Sequence, residues 1–194
     1  HEIRAMRMLV DLLRNRVGSP VTLSALAREL QISPATAIRY VEILEALYVV
    51  FTVRPYHRNV ARAILKEPKI YFLDTGLVAD DVGARFENAC AAALLKHVHF
   101  LQDTAGRPIA LHYILDKEQH EIDFVLTQNG KPSRLIECRH ADPVPSGYFH
   151  RIAKLFPDAE PILLVRELAQ EHKRGRIQVL DAARGADGPQ DRLR

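Results

Sequence analysis

Apolar residues in the first third of the chain recur three and four positions apart. Ile3, Met6, Leu9, Val10, Leu12 and Leu13 form one such stripe, and Gly18-Ser19-Pro20 ends it. Thr22 stands where it can cap a second helix over SALAREL, whose Leu23, Leu26, Ala27 and Leu30 share a face. Ser33 followed by Pro34 predicts a third helix start, a capping hydroxyl and then proline at the first helical position. Over PATAIRYVEILEALY the spacing sets Ala37, Tyr40, Val41, Leu44, Leu47 and Tyr48 on one side. Two such helices joined by Gln31-Ile32-Ser33 predict a helix-turn-helix. The pattern then turns β-like in YVVFTVRPY (48–56) and PKIYFLD (68–74), with the basic segment HRNVARAILK between them. A hairpin behind a helix-turn-helix is a wing, so residues 1–80 read as a winged helix-turn-helix.

Composition changes around Asp80-Asp81-Val82-Gly83, where the boundary is placed. Beyond it the pattern predicts a helix over 84–98, a turn-rich stretch at QDTAGRP, and strands at 109–115, 120–127 and 133–139. A short helix (147–156), a buried strand (161–168) and a last strand (176–180) follow. The fold class implied is α/β (α+β), a mixed sheet with helices on its faces over residues 81–183. The polar stretch 184–194 reads as a flexible tail.

Charge changes this picture only in the first module. Residues 1–75 carry eleven Lys and Arg against seven Asp and Glu, whereas the remainder is close to balanced. That permits nucleic-acid contact. No uninterrupted apolar run is long enough to cross a membrane, so no membrane partner is expected. The two cysteines, Cys90 and Cys138, have no metal-type or redox-type spacing, which suits a reducing cytoplasm, the expected location. The chain opens inside a helical pattern and reads as a piece of a longer protein. It has no GxxxxGK[ST], so ATP is expected only through an upstream domain outside this chain.

The candidate chemistry is acidic. Pro132 cannot donate to a ladder, so the hairpin at Gln128-Asn129-Gly130-Lys131-Pro132 is expected to use all five residues as its loop. A two-residue Asn-Gly turn would split Asp123 and Glu137 between opposite faces. The five-residue loop sets them directly opposite each other, with Arg139 on the face of Glu137. Like charges so placed repel unless a divalent metal or Arg139 joins them. Glu87 shares a helix face with Cys90, Ala91 and Leu94 and is expected to point at the pair. Glu121 is expected outside this group, solvated.

A carboxylate on an early helix, then Asp, then Glu-x-Lys on the next strand resembles the PD-(D/E)xK nuclease superfamily. The segment HYILDKEQHEIDFVLTQNGKPSRLIECRH (112–140) resembles a domain of unknown function at the C-terminus of many prokaryotic AAA+-type ATPases. In those proteins it follows a winged helix whose second strand ends in a phrase like KIYFLDTGL (69–77), and FEN (86–88) resembles its helix motif. The resemblance runs from about residue 10 to 180. It implies a restriction-endonuclease-like fold and a catalytic group of Glu87, Asp123, Glu137 and residue 139. It further implies Mg²⁺ on Asp123 and Glu137, with Glu87 supporting the metal or its water. Where that family has Lys, this chain has Arg139, which is always protonated, planar and not an equivalent. A degenerate site that binds phosphate without hydrolysing it is therefore expected.

Nucleic-acid contacts are expected from Thr36 and Arg39 on the third helix and from Arg54, Arg58, Arg62 and Lys66 around the wing, with His57 and Lys69 nearby. Glu42 and Glu45 oppose such contact from exposed positions. The resulting expectation is a regulatory or effector region of an AAA+-type ATP-binding protein. Its partner is DNA, the upstream ATPase domain or another protein. The alternatives are an active Mg²⁺-dependent nuclease and a structural oligomerisation element.

Overall fold

Three helices form where the apolar spacing sets them: α1 (Glu2–Arg14), α2 (Leu23–Leu30) and α3 (Pro34–Ala46). They belong to a computed structural model that describes residues 2–57 and 67–182. Arg58, Arg62 and Lys66, most of the basic segment between the first two strands, and the tail expected at 184–194 lie outside the described residues. Ser33 caps α3 by accepting the Thr36 N–H at 3.1 Å. Thr22 precedes α2 but makes no cap bond; its hydroxyl donates to Glu67 instead.

The third helix is shorter than its apolar stripe suggests. It stops at Ala46, and Tyr48 takes a left-handed φ of 56° as the chain turns into the next strand. Leu47 and Tyr48 are therefore 66% and 79% exposed and not on the buried side, because the periodicity holds only while the helix continues. Glu45 also departs from expectation. It is half-buried, and its Oε1 accepts the Thr52 N–H at 2.9 Å, tying the helix end to the strand.

β1 (Val50–Pro55) and β2 (Lys69–Phe72) pair antiparallel, Val50 opposite Phe72. The free edge of β1 continues, parallel, onto β3 (Ile109–Leu115), with Arg54 opposite His112. Between them runs α4 (Val82–Ala105), capped by Asp81 on the Ala84 N–H at 2.8 Å. This helix extends through Gln102–Ala105, a stretch expected to be turn. It ends at Gly106, where φ of 58° supplies the left-handed cap that glycine tolerates best.

β4 (Glu121–Gln128) and β5 (Lys131–Arg139) form the hairpin that decides the site. Its loop is not five residues. Asn129 and Gly130, at φ 52° and 72°, make a two-residue turn with Gln128 opposite Lys131. Pro132 is accommodated opposite Thr127, and a bulge at Ser133 then shifts the register, so that Leu126 faces Arg134 and Phe124 faces Ile136. Carried one residue on, the shifted register sets Asp123 opposite Glu137, by a different route from the one the turn residues suggest.

α5 (Gly147–Leu155) is capped by Ser146 on the Phe149 N–H at 3.0 Å. β6 (Glu160–Val165), β7 (His172–Arg174) and β8 (Ile177–Asp181) complete the chain. Among the described residues the sheet is eight-stranded and mixed, in the order β2-β1-β3-β4-β5-β6-β8-β7. The three-residue edge strand β7 was not visible as a strand because HKR has no apolar alternation. One hydrophobic core joins Leu9 and Leu26 on the N-terminal helices to Phe72, Leu94, Phe124 and Leu164. A second lies under α5, around Phe149, Val125, Leu163 and Val179. Among the described residues no helix is long and apolar enough to cross a membrane.

A candidate acidic cleft at the joint of helix and sheet

The hairpin register and α4 bring Glu87, Asp123, Glu137 and Arg139 to the wall of one cleft of about 370 Å³, which Glu121, Ser146 and Tyr148 also line. Within it the acids divide into two groups. Glu87, Glu121 and Asp123 each offer an oxygen lying within 4.8 Å of the others. Glu137 is buried and has its own partners. One of its oxygens accepts from the Arg139 guanidinium, and the other accepts from the Ser146 hydroxyl at 3.4 Å. Asp123 and Glu137 line the same cleft, and Glu87 and Glu121 each bring an oxygen within 4.8 Å of an Asp123 oxygen.

Glu121 corrects the sequence reading. Two residues from Asp123 on a strand, it must share that residue's face. It ion-pairs with Lys69 at a quarter of its side-chain exposure, far from the solvated state expected. Lys69 is the larger surprise. It was expected among the basic residues near the wing, yet it is 0% exposed on the inner side of β2. Its Nζ donates to Glu87 Oε1 at 3.1 Å and to Glu121, and lies 5.4 Å from the centre of the Tyr113 ring. Tyr71, on the same face two residues on, donates its hydroxyl to Glu87 Oε1 at 2.7 Å. The signal available in sequence was that Lys69 and Tyr71 share a face within an otherwise apolar strand.

Burial of such a group reshapes its proton affinities. Burial pushes Asp123 up to about 8, and the nearby Glu87 charge adds to this, while Lys69 and the Cys138 N–H, which donates to Asp123 Oδ2 at 2.7 Å, pull the other way. Burial likewise raises Glu121, against the opposing pull of Lys69. For Lys69 burial favours the neutral amine, but Glu87, Asp123 and Glu121 together outweigh it and hold the ammonium above its ordinary value. Tyr71 is raised by burial and by Glu87.

The surrounding backbone fits this group closely. Gly18, at φ 79°, abuts Glu87; a Cβ there would come within 2.8 Å of the carboxylate. One residue further along α4, Asn88 is fully buried. Its Oδ1 accepts the Phe72 N–H and its Nδ2 donates to the Phe72 carbonyl, both at 2.8 Å, so the helix is pinned to edge strand β2. In the sequence Asn88 stands out only as part of FEN.

Of the expected nucleic-acid residues, Thr36, Arg39 and Arg54 fall among the described residues. The Thr36 hydroxyl is engaged with Ser33 Oγ at 2.8 Å in the α3 cap. Arg39 is exposed beside a groove between α1 and α3 lined by Met6, Val10 and Ile43. Arg54 is exposed on β1, in the part of the sheet where β1 meets β3.

An eight-stranded mixed sheet, three helices at its start and a lysine-centred carboxylate group define a mixed α/β protein whose two segments share one sheet. Residues 82–184 match the family described as Domain of unknown function (DUF4143), and the chain belongs to that family. Residues 1–85 match Domain of unknown function (DUF8612). Two curated relatives, the uncharacterized protein Mb2031c of Mycobacterium bovis and the uncharacterized protein Rv2008c of Mycobacterium tuberculosis, are each 29% identical over 133 residues. The match covers 66% of this chain and 30% of either relative, so the chain spans less than a third of the relatives' length. No solved structure matches the chain.

Proposed function

We propose that this chain is a regulatory or effector region of a longer AAA+-type ATP-binding protein, one that binds nucleic acid or a protein partner and does not cut. In this reading the first three helices with β1 and β2 act as a winged helix, in the chain order such a module requires. The second segment acts as a restriction-endonuclease-like domain whose catalytic set has been redirected to charge balance. ATP is handled by a domain outside this chain.

The observation that carries the proposal is the position of Lys69. Glu87, Glu121 and Asp123 form an oxygen-only donor set of the kind a hard divalent cation prefers. The Lys69 ammonium already lies on two of these three carboxylates, fully buried. Glu137, the other ligand the family resemblance implies, is held by Arg139 and Ser146. These residues suit an internal ion-pair network better than a resident Mg²⁺. Arg139 supports the same reading, since a guanidinium paired to Glu137 remains a phosphate-binding cation but cannot act as a base.

Incubation of the chain with plasmid, duplex and single-stranded DNA in Mg²⁺ or Mn²⁺, beside an Asp123→Ala variant, tests the proposal. The expected result is equal background for the two proteins. Cleavage that depends on Asp123 would establish the nuclease reading in its place.

A further inference from the structure

At the end of α5 remote from the acidic cleft, a cavity of about 420 Å³ opens between that helix and the β7–β8 turn. Its charged lining is wholly cationic: Lys154 from the last turn of α5, Arg174 from β7 and Arg176 from the turn, with His150 beside them and no carboxylate. All four side chains are exposed. Among the described residues none of Lys154, Arg174 and Arg176 takes part in an ion pair within 4 Å.

The fold holds this arrangement in place. Arg176 donates to the carbonyls of Ala153 at 2.8 Å and Ala159 at 2.9 Å, and also to that of Pro157. It thereby ties the turn to the end of α5, a favourable place for a cation. Gly175, at φ 60°, lets the chain reverse so that Arg174 lies opposite Ile177. The Nε of Arg174 is oriented by a hydrogen bond to His172 Nε2 at 3.3 Å. Charges on β7 have a structural use, since a charged edge strand resists pairing with other sheets. That use accounts for neither Lys154, on a helix, nor the concavity the basic residues share.

Like charges gathered around a concavity repel one another, and an anionic ligand relieves the repulsion. α5 joins this cavity to the cleft, with Tyr148 lining one and Lys154 the other. A helix of this length spans roughly 13 Å. Along the way the exposed Arg151 guanidinium lies 5.2 Å from the Tyr148 ring centre. We infer that the cavity is an anchoring site for the phosphodiester backbone of a nucleic acid, held at a second point from the winged helix. The inference rests on the nucleic-acid side of the function proposed above.

Fluorescence anisotropy with labelled duplex and single-stranded DNA, titrated with the 194-residue chain from about 50 to about 200 mM salt, tests it. The double substitution Lys154→Gln, Arg174→Gln changes only exposed side chains, and thermal unfolding checks that it folds. It is expected to weaken binding about tenfold at low salt and to reduce the slope of log affinity against log salt by about two. An Arg39→Gln, Arg54→Gln variant serves as the comparison. If the wild-type chain binds DNA and only the comparison variant weakens it, the anchoring site is overturned while the proposed function stands. If the wild-type chain binds neither DNA, the nucleic-acid reading falls, the anchoring site falls with it, and a protein partner remains.

Discussion

Asp123 carries a prediction because its proton affinity differs so much between the folded chain and water. Folding raises it from an ordinary 3.8 to about 8, chiefly through burial. Between those values an unfolded chain releases a proton that the folded chain keeps. Stability from this group is therefore full below about pH 4 and declines as pH rises toward about 8. The raised Glu121 acts in the same direction. The raised Lys69 acts only at alkaline pH above this window, where the unfolded chain's lysine begins to lose its proton. In the presence of a chelator, the urea midpoint of the wild type should fall as pH rises through this range, and Asp123→Asn should flatten the trend. The amide keeps an acceptor for the Cys138 N–H and has no proton to lose. An unchanged slope in the variant would show that the titration lies elsewhere. At this scale the sequence was legible for Glu87 and Asp123, whose helix face and strand parity put them where they are found. It was not legible for Lys69, because nothing local distinguishes a lysine leading into a surface loop from one turned inward onto acids sixty residues away.

At the scale of elements, the contact between α4 and β2 turns on one side chain. Asn88 supplies both hydrogen bonds to the Phe72 backbone and a third, at 3.1 Å, to Thr75 Oγ1. An edge strand has one row of backbone groups without a neighbouring strand, and here a helix supplies the partner. Asn88→Ala would leave a buried N–H and a buried carbonyl unpaired, at about 1–3 kcal/mol each. The expected loss is about 2–6 kcal/mol of unfolding free energy, read from urea denaturation. A loss under about 0.5 kcal/mol, within the range of ordinary surface substitutions, would mean that water replaces the amide without penalty. The hairpin teaches the same lesson about legibility. Asn129-Gly130 announces a two-residue turn in sequence, and Pro132 argues against it; both are accommodated because the bulge at Ser133 absorbs one residue. Turn residues predict a turn well, but a bulge is visible only once both strands are registered against the core. The length of α4 and the short β7 were missed for a related reason, since their exposed polar residues carry no period.

For the whole molecule, the question is whether the two segments unfold together. A boundary near residue 80 follows from composition, yet β1 of the first segment pairs directly with β3 of the second, and β2 and β1 are the first two strands of a single sheet. The larger core is common to both, joining Leu9, Leu13 and Leu26 to Leu94, Phe124 and Ile136. Lys69 adds an electrostatic tie, because its carboxylates belong to α4 and β4 while it belongs to β2. Separating the segments would part Lys69 from Glu87 and Glu121, and breaking one side of a buried pair costs about 3–5 kcal/mol. Independent folding units ordinarily meet through surfaces that can part, whereas a shared core resists partial opening. The expected outcome is therefore one cooperative transition, with coincident midpoints from far-ultraviolet circular dichroism and from tyrosine fluorescence. The chain has no tryptophan and six tyrosines. Tyr40 and Tyr71 lie in the first segment and Tyr113 and Tyr148 in the second, so the fluorescence samples both. Lys69→Met should lower that single midpoint. Two separated transitions in the wild type would show instead that the sheet joins domains that fold alone. A midpoint that Lys69→Met leaves in place would remove the lysine from its role between them.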